Sequence, residues 1–249
     1  MSEDPSAIAA GMSDVGRCRQ ANQDQFVVDV GLGLYAIADG MGGHAAGEVA
    51  SALAIAALAE SLRAEPLAGL EATQVAERLC GAINDGNRRI CESITSRPDW
   101  RGMGTTVVAL VTAGGTAVFG HVGDSRAYRL RGSELELLTS DHSWVNEQVR
   151  LGLLTHEQAQ RHPMRNIVTR ALGNQTRVDV DVAEEPMRPG DVFILCSDGL
   201  SGMVPDAEIR EIALDHAARP RAACRALVER ANANGGEDNI TVVVLRCRA

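Results

Sequence analysis

The chain of 249 residues contains no lysine; all 24 of its basic residues are arginine. That absence excludes the lysine of a P-loop, the lysine on which protein kinases depend and every Schiff-base mechanism. The six cysteines (Cys18, Cys80, Cys91, Cys196, Cys224 and Cys247) include no C-x-x-C pair. Zinc spacing is therefore missing, and buried free thiols in a reducing compartment are expected. The longest uninterrupted apolar run, ALAIAALA at 52–59, falls far short of the ~20 residues that cross a membrane. The N-terminus, MSEDPSAIAAGMSD, lacks the basic start and apolar core of a signal peptide. No repeat, low-complexity tract or Pro/Ser-rich linker divides the chain. A net charge of −9 argues against nucleic acid or an anionic membrane as main partner. A soluble cytoplasmic protein with no nucleic-acid and no membrane partner is expected.

What is present is an ordinary globular balance, 45% apolar and 23% charged, in a chain long enough for a sizeable core. Helical periodicity covers 45–63 and about 73–96, where Val75, Leu79, Ile83, Ile90 and Ile94 share a face. Strands are expected at 105–111, 116–123, 126–131 and 134–138, with Gly114-Gly115 as a hairpin turn. Short helices and polar loops fill 143–173, where Thr155 and Gln158 form a capping box. Strands resume at 177–182 and 191–198, helices follow at 206–215 and 220–233, and a strand at 240–247 closes the chain. VFILC, TVVVL and TTVVALV are apolar on both faces, so both faces need cover. Hairpin turns favour antiparallel pairing. A four-layer α-β-β-α sandwich, two antiparallel sheets flanked by helix pairs, satisfies both demands.

Four aspartates repeat one design, an apolar strand followed by the acid and then by small or turn-forming residues: Asp39 in IADGMGGH, Asp124 in HVGDSRAY, Asp198 in LCSDGL and Asp238 in GGEDNITV. Alone, each is an ordinary turn former. Together at one edge of a sandwich they repel one another, and bound cations relieve that repulsion. Oxygen ligands select Mg²⁺ or Mn²⁺ over zinc. Gly40 can offer its carbonyl to such an ion and lets the chain approach closely; Gly199 permits a similar turn. Two cations about 4 Å apart hold a bridging water, lower its pKa and aim it at phosphorus. Arg19, five residues before Asp24, is a natural clamp for phosphate.

SDVGRCRQANQD, LYAIADGMGGH, GMGTTVVAL, GHVGDSRAYRLR, LTSDHS, HPMRNIVTRALG, LCSDGL and GGEDNITVVV occur in this order across essentially the whole chain. In this the sequence resembles the bacterial metal-dependent protein serine/threonine phosphatases (the PPM, or protein phosphatase 2C, family), whose fold is the same α-β-β-α sandwich. The resemblance implies one catalytic domain over 1–249 with a flap subdomain at about 143–173, where His162, Arg165 and Asn166 belong to the family pattern. It implies that Asp39 bridges two Mn²⁺ or Mg²⁺ ions, with the Gly40 carbonyl on one and Asp198 and Asp238 completing the other. Asp124 joins Asp198 at a third ion. Asp24, Gln23 and Asn239 support these ligands, and Arg19 holds the substrate phosphate.

The resemblance implies a metal-activated hydroxide that would attack phosphorus in line, with no phosphoenzyme. His44 has two readings, the acid that protonates the leaving oxygen or a residue that caps the turn; Met41 stands where relatives with a DGH turn carry histidine. Gln23 stands where many relatives have glutamate. His121 and His142 are read as structural, and Cys196 as a buried core thiol. The implied partners are phosphorylated proteins and a cognate Ser/Thr kinase, and the implied state is a monomer. An aspartyl nucleophile is rejected because DVDVA at 179–183 lacks the threonine of D-x-D-x-T. A nucleotide loop at GMGGH is rejected for want of lysine and of G-x-G-x-x-G. A metal-free binding module is disfavoured because the aspartate set and Arg19 are intact.

Overall fold

The computed structural model describes residues 7–42 and 46–248. In chain order its strands are β1 (Ala7–Asp14), β2 (Asp24–Asp29), β3 (Leu34–Met41), β4 (Gly104–Thr105), β5 (Val107–Ala113), β6 (Thr116–Val122), β7 (Arg126–Arg131), β8 (Glu134–Leu137), β9 (Asp181–Pro186), β10 (Val192–Cys196) and β11 (Ile240–Cys247). The helices are α1 (Ala46–Ala64), α2 (Ala72–Ser96), α3 (Trp144–Arg150), α4 (His156–Gln160), α5 (Asp198–Ser201), α6 (Asp206–Asp215) and α7 (Pro220–Ala233). One sheet runs β1-β11-β10-β7-β8 and the other β2-β3-β5-β6-β9, with β4 on β3; every pairing is antiparallel.

Three apolar layers follow from the two-residue alternation of strands. On β3, Leu34, Ala36 and Ala38 meet α1 and α2 through Ala50, Ala54, Leu58, Leu79 and Ile83. Tyr35 and Ile37, from the other face of β3, pack with Val108, Phe119, Phe193, Leu195 and Val243 between the sheets. Phe119 and Phe193 meet there with ring centroids 5.6 Å apart. On the far side, Tyr128, Ile194, Val242 and Val244 bury against Ile209, Ala213, Leu227 and Val228 of α6 and α7. The expected four-layer sandwich is the observed one, and strands such as VFILC are apolar on both faces because both faces are covered.

Two expectations change. The strand expected at 177–182 forms at Asp181–Pro186 instead, because β6 pairs through Thr116↔Pro186 to His121↔Asp181. Residues before it are held by α2, where the Val178 amide donates to Asn84 Oδ1 at 3.2 Å and the Val178 side chain joins the helix-side core. Nor does a turn follow Asp39: β3 continues to Met41, Gly40 pairing with Thr105 and Met41 with Gly104. Between β8 and β9, α3 and α4 form a small helical excursion, and Thr155 and Gln158 make the expected reciprocal cap. Its ends are drawn together by a Ser143↔Val168 bridge and by the Trp144 amide donating to the Ile167 carbonyl at 2.8 Å. Among the described residues no helix is long and apolar enough to cross a membrane.

Candidate metal centre

The inter-sheet layer turns polar at one end of the sandwich. On β2 the row Val28, Phe26 leads to Asp24; on β3, Tyr35 and Ile37 lead to Asp39. On β5, Leu110 and Val108 lead to Thr106; on β10, Phe193 and Leu195 lead to Ser197; on β11, Leu245 and Val243 lead to Thr241. Asp24 and Asp39 face each other in the β2–β3 register. Asp24 Oδ2 accepts from Ser197 Oγ at 2.8 Å and from Thr241 Oγ1 at 2.6 Å, joining the two sheets at this end. The Asp39 amide donates to Thr106 Oγ1 at 3.2 Å, and Thr106 Oγ1 shares a 2.8 Å hydrogen bond with Ser125 Oγ. Ser197, Thr241, Thr106 and Ser125 are absent from the sequence-based site. Their signal is position: Thr106, Ser197 and Thr241 each continue an apolar row by two residues, and Ser125 stands two before the buried Ala127.

Asp124 follows β6, and Asp198 opens α5. Asp238 lies in the loop before β11 and so precedes a strand, whereas Asp124 and Asp198 follow one and Asp39 lies within β3. Burial, with Asp24, Asp198, Asp124 and Asp238 adding repulsion, pushes Asp39 well above the ordinary carboxylate value of 3.8. Burial lifts Asp24 to about 6, with Asp198 adding and the Thr241 and Ser197 hydroxyls opposing. Asp124 rises to about 7 through burial, Asp198 and Asp141. Asp198 rises through burial and Asp238. Burial first, and mutual repulsion second, favour the protonated form of these carboxylates.

The donor set suits a hard divalent cation. It is all oxygen, and two buried acceptors, Asp24 Oδ1 and Asp198 Oδ1, have no hydrogen-bond partner, a costly state that a cation relieves. Backbone closeness is built in at two glycines. A Cβ on Gly40 would lie 2.2 Å from the Gly47 carbonyl oxygen, and one on Gly199 2.0 Å from that of Asn239. Asn239 ties the site to the N-terminal loop: Oδ1 accepts from the Gln23 amide at 2.8 Å, while Nδ2 donates to the carbonyls of Val15 at 3.0 Å and Ala21 at 2.9 Å. The Gln23 carbonyl in turn accepts from Ser51 Oγ at 2.6 Å and from the Gly40 amide at 3.2 Å.

Arg19 stands at the rim, more than half exposed, and Nη2 donates to Asp238 Oδ2 at 2.7 Å. Arg165, from the α3–α4 excursion, lies 4.0 Å from Glu237, next to Asp238. His162 packs against Trp144 with ring centroids 5.0 Å apart, so it braces the excursion. His44 lies outside the described residues. Cys196 is fully buried with its thiol pushed up to about 12 by burial, as an inert core thiol should be; the six cysteines are free.

The protein phosphatase 2C family matches residues 17–240 of this chain. The chain belongs to that family. It is 40% identical over 236 residues to the serine/threonine phosphatase stp of Listeria innocua, covering 94% of this chain and 93% of that protein. The crystal structure of the Mycobacterium tuberculosis serine/threonine phosphatase PstP/Ppp superposes with a TM-score of 0.89 at 39% identity, covering 98% of this chain and 99% of that one. The catalytic domain of PstP in complex with two manganese ions superposes with a TM-score of 0.88 at 39% identity and the same coverage. The sandwich read from periodicity is thus the family's sandwich.

Proposed function

We infer that the protein is a metal-dependent phosphatase that releases phosphate from phosphoserine and phosphothreonine in proteins. The observation that carries this reading is a cluster of five carboxylates at the polar end of the inter-sheet layer, met by a single arginine, the half-exposed Arg19 at its rim, and with two buried oxygens unpartnered. Family membership supports the substrate class, and the manganese-bound relative supports the ion. Asp39, Asp198 and Asp238, with the Gly40 carbonyl, would hold two Mn²⁺ or Mg²⁺ ions; Asp124 with Asp198 would hold a third. When bound, such ions lower the pKa of water and neutralise phosphate charge.

The chain's own residues do the rest. Asp24 anchors the Asp39 side of the site to both sheets and presents its free oxygen inward. Asn239 and Gln23 fix the loop that carries Arg19. Arg19 uses one of five N–H donors on Asp238, and the others are free to bind phosphate oxygens in a forked geometry. We read His44 as a candidate acid for the leaving oxygen. A loss in a His44→Ala variant no larger for alkyl than for aryl phosphates would reassign it to the turn. Residues 143–173 are read as a flap because both ends are stapled while Leu151 and Leu153 stand exposed. Free thiols support a cytoplasmic site, where the enzyme would oppose a Ser/Thr kinase.

The test is phosphate release from a phosphothreonine peptide in EDTA, then with Mn²⁺ or Mg²⁺ restored. Metal-dependent release supports the reading; a folded protein that releases nothing in any metal refutes it.

A further inference from the structure

Outside the carboxylate cluster, a second group of polar side chains, its two histidines buried, lies where β6, β9 and the base of the α3–α4 excursion meet. His121 and His142 stack with ring centroids 4.7 Å apart at 13°, and Asp181 lies 3.2 Å from His142 Nε2. Two histidines and an aspartate have the composition of a zinc site, but their hydrogen bonds fit a different role. His142 Nδ1 accepts from the Gly123 amide at 3.0 Å. That leaves the ring proton on Nε2, which donates to Asp181 and has no lone pair for a metal. Arg170 Nη1 also lies 3.0 Å from Nε2, beside its bonds to Asp181 Oδ1 and the Asp179 carbonyl; the tautomer follows from the Gly123 amide, which can only donate and so makes Nδ1 the ring's acceptor. His121 Nε2 donates to the Ser140 carbonyl at 3.1 Å. Burial, with His121 and Arg170 adding to it and Asp181 opposing, keeps the His142 ring below its ordinary 6.5 and so neutral.

The neutral ring clamps one peptide. His142 holds Gly123 twice, by Nδ1 on its amide and by the His142 amide donating to the Gly123 carbonyl at 2.9 Å. Gly123 has φ of +110°, and a Cβ there would lie 2.6 Å from Thr106, the residue whose hydroxyl accepts from the Asp39 amide. The next residue is Asp124. The His142 carbonyl accepts from the Thr169 amide at 2.8 Å, in the stretch where the ends of the excursion are zipped together. One imidazole therefore sits between the flap base and the Asp124 carboxylate. We propose that His142 is a positioning residue that sets Asp124 as a cation ligand and couples that ligand to the flap base, through the Nδ1–Gly123 bond. This rests on Asp124 being a cation ligand, as read above.

Two readouts test it. On ¹⁵N-labelled wild-type protein at pH 7, long-range imidazole spectra should show His142 protonated at Nε2 and bare at Nδ1, with a coupling across the bond to the Gly123 amide nitrogen. A proton on Nδ1 overturns the proposal whatever the enzyme assay gives. In Mn²⁺ titrations read as free ion by electron paramagnetic resonance, His142→Ala should weaken the weakest class of sites about tenfold, the scale of a lost ligand-orienting partner. The KM for Mn²⁺ should rise with it, and kcat at saturating Mn²⁺ should change far less. His142→Asn, which keeps an acceptor near the Nδ1 position, should recover most of the loss. Unchanged Mn²⁺ binding in a folded His142→Ala protein, or equal weakening of all classes, overturns the proposal. If that variant does not fold, His142→Asn and the wild-type spectrum decide it. Failure of wild-type protein to release phosphate with Mn²⁺ would instead overturn the functional reading, leaving the tautomer result intact.

Discussion

Strand β10 carries an aspartate at each end, and the two live under opposite rules. Asp191, just before Val192, has a side chain only 2% exposed, yet it is fully partnered. Arg131 grips it through Nε at 2.9 Å and Nη2 at 2.7 Å, and the Arg188 amide donates at 2.8 Å. Burial alone would raise its pKa, but Arg131 holds it below the usual range. Asp198, after Ser197, has an unpartnered Oδ1 and a pKa raised by burial and Asp238, with Arg19 at the rim only partly opposing. Where this fold needs a carboxylate for structure it supplies an arginine, as it does again for Glu185 with Arg129 between the sheets. At the carboxylate end one half-exposed arginine, Arg19, faces five acids, so most of the compensating charge has to come from outside the chain. That contrast separates a structural acid from a proposed ligand better than burial does.

The largest effects should come from exchanging the two ends. Asp198→Asn should reduce phosphate release by roughly three orders of magnitude, the scale of losing a group aimed at the transition state. It should leave the metal-free protein as stable as before or more so, because it removes a repelling charge. Asp191→Asn should do the reverse. It weakens a paired arginine that is a quarter exposed and still faces Glu185 and Glu136, costs about 1–3 kcal/mol of stability, and leaves turnover per folded molecule unchanged. Thermal melts of metal-free protein beside rate assays read both arms. Destabilisation by Asp198→Asn equal to that of Asp191→Asn would erase the distinction.

pH should separate the two ends next. In metal-free protein Asp24 and Asp124 hold protons up to about 6 and about 7 that the unfolded chain gives up near 3.8. Unfolding therefore releases protons, and stability should fall as pH rises from about 4 through 7, then level. Asp191, with its pKa lowered, contributes the opposite slope, losing its stabilisation as pH drops below about 4. Saturating Mn²⁺ should remove the neutral-side decline and leave the acid-side loss. A metal-free melting temperature that is flat from pH 5 to 8 would contradict the carboxylate account.

Much of this was legible in the chain because alternation and capping are local. The helices at 206–215 and 220–233 and the strand at 240–247 form where periodicity puts them, and the four repeated aspartates do converge. What was not legible depends on partners distant in sequence. β1, AIAAGMSD, lacks β-branched residues apart from Ile8. It is a strand because β11 pairs with it and because Gly11 leaves room for Phe26, whose ring a Cβ would meet at 2.4 Å. Asp24 drew notice only through resemblance to a family. The hydroxyls that hold it, Ser197 and Thr241, lie 173 and 217 residues away. His142 read as structural because nothing local links it to Gly123, 19 residues earlier.

Smaller perturbations sharpen the ligand end alone. Gly199→Ala forces a methyl against the Asn239 carbonyl and should cost about 1–3 kcal/mol, with weaker Mn²⁺ binding in calorimetry. A neutral result would show that the close approach of α5 to the Asp238 loop is dispensable. Arg19→Ala touches no proposed ion ligand except through Asp238. It should raise the KM for a phosphopeptide about tenfold, one charge-assisted contact, with a smaller change in kcat. An unchanged KM would leave Arg19 as a rim residue paired with Asp238.

The most direct test of the central claim is proton release on Mn²⁺ binding at pH 6, measured by calorimetry in buffers of different ionisation enthalpy. The cluster should give up protons as the cation enters, and Asp39→Asn should abolish both the release and the tight binding. Tight Mn²⁺ binding with no proton release, or binding unaltered by Asp39→Asn, would contradict it.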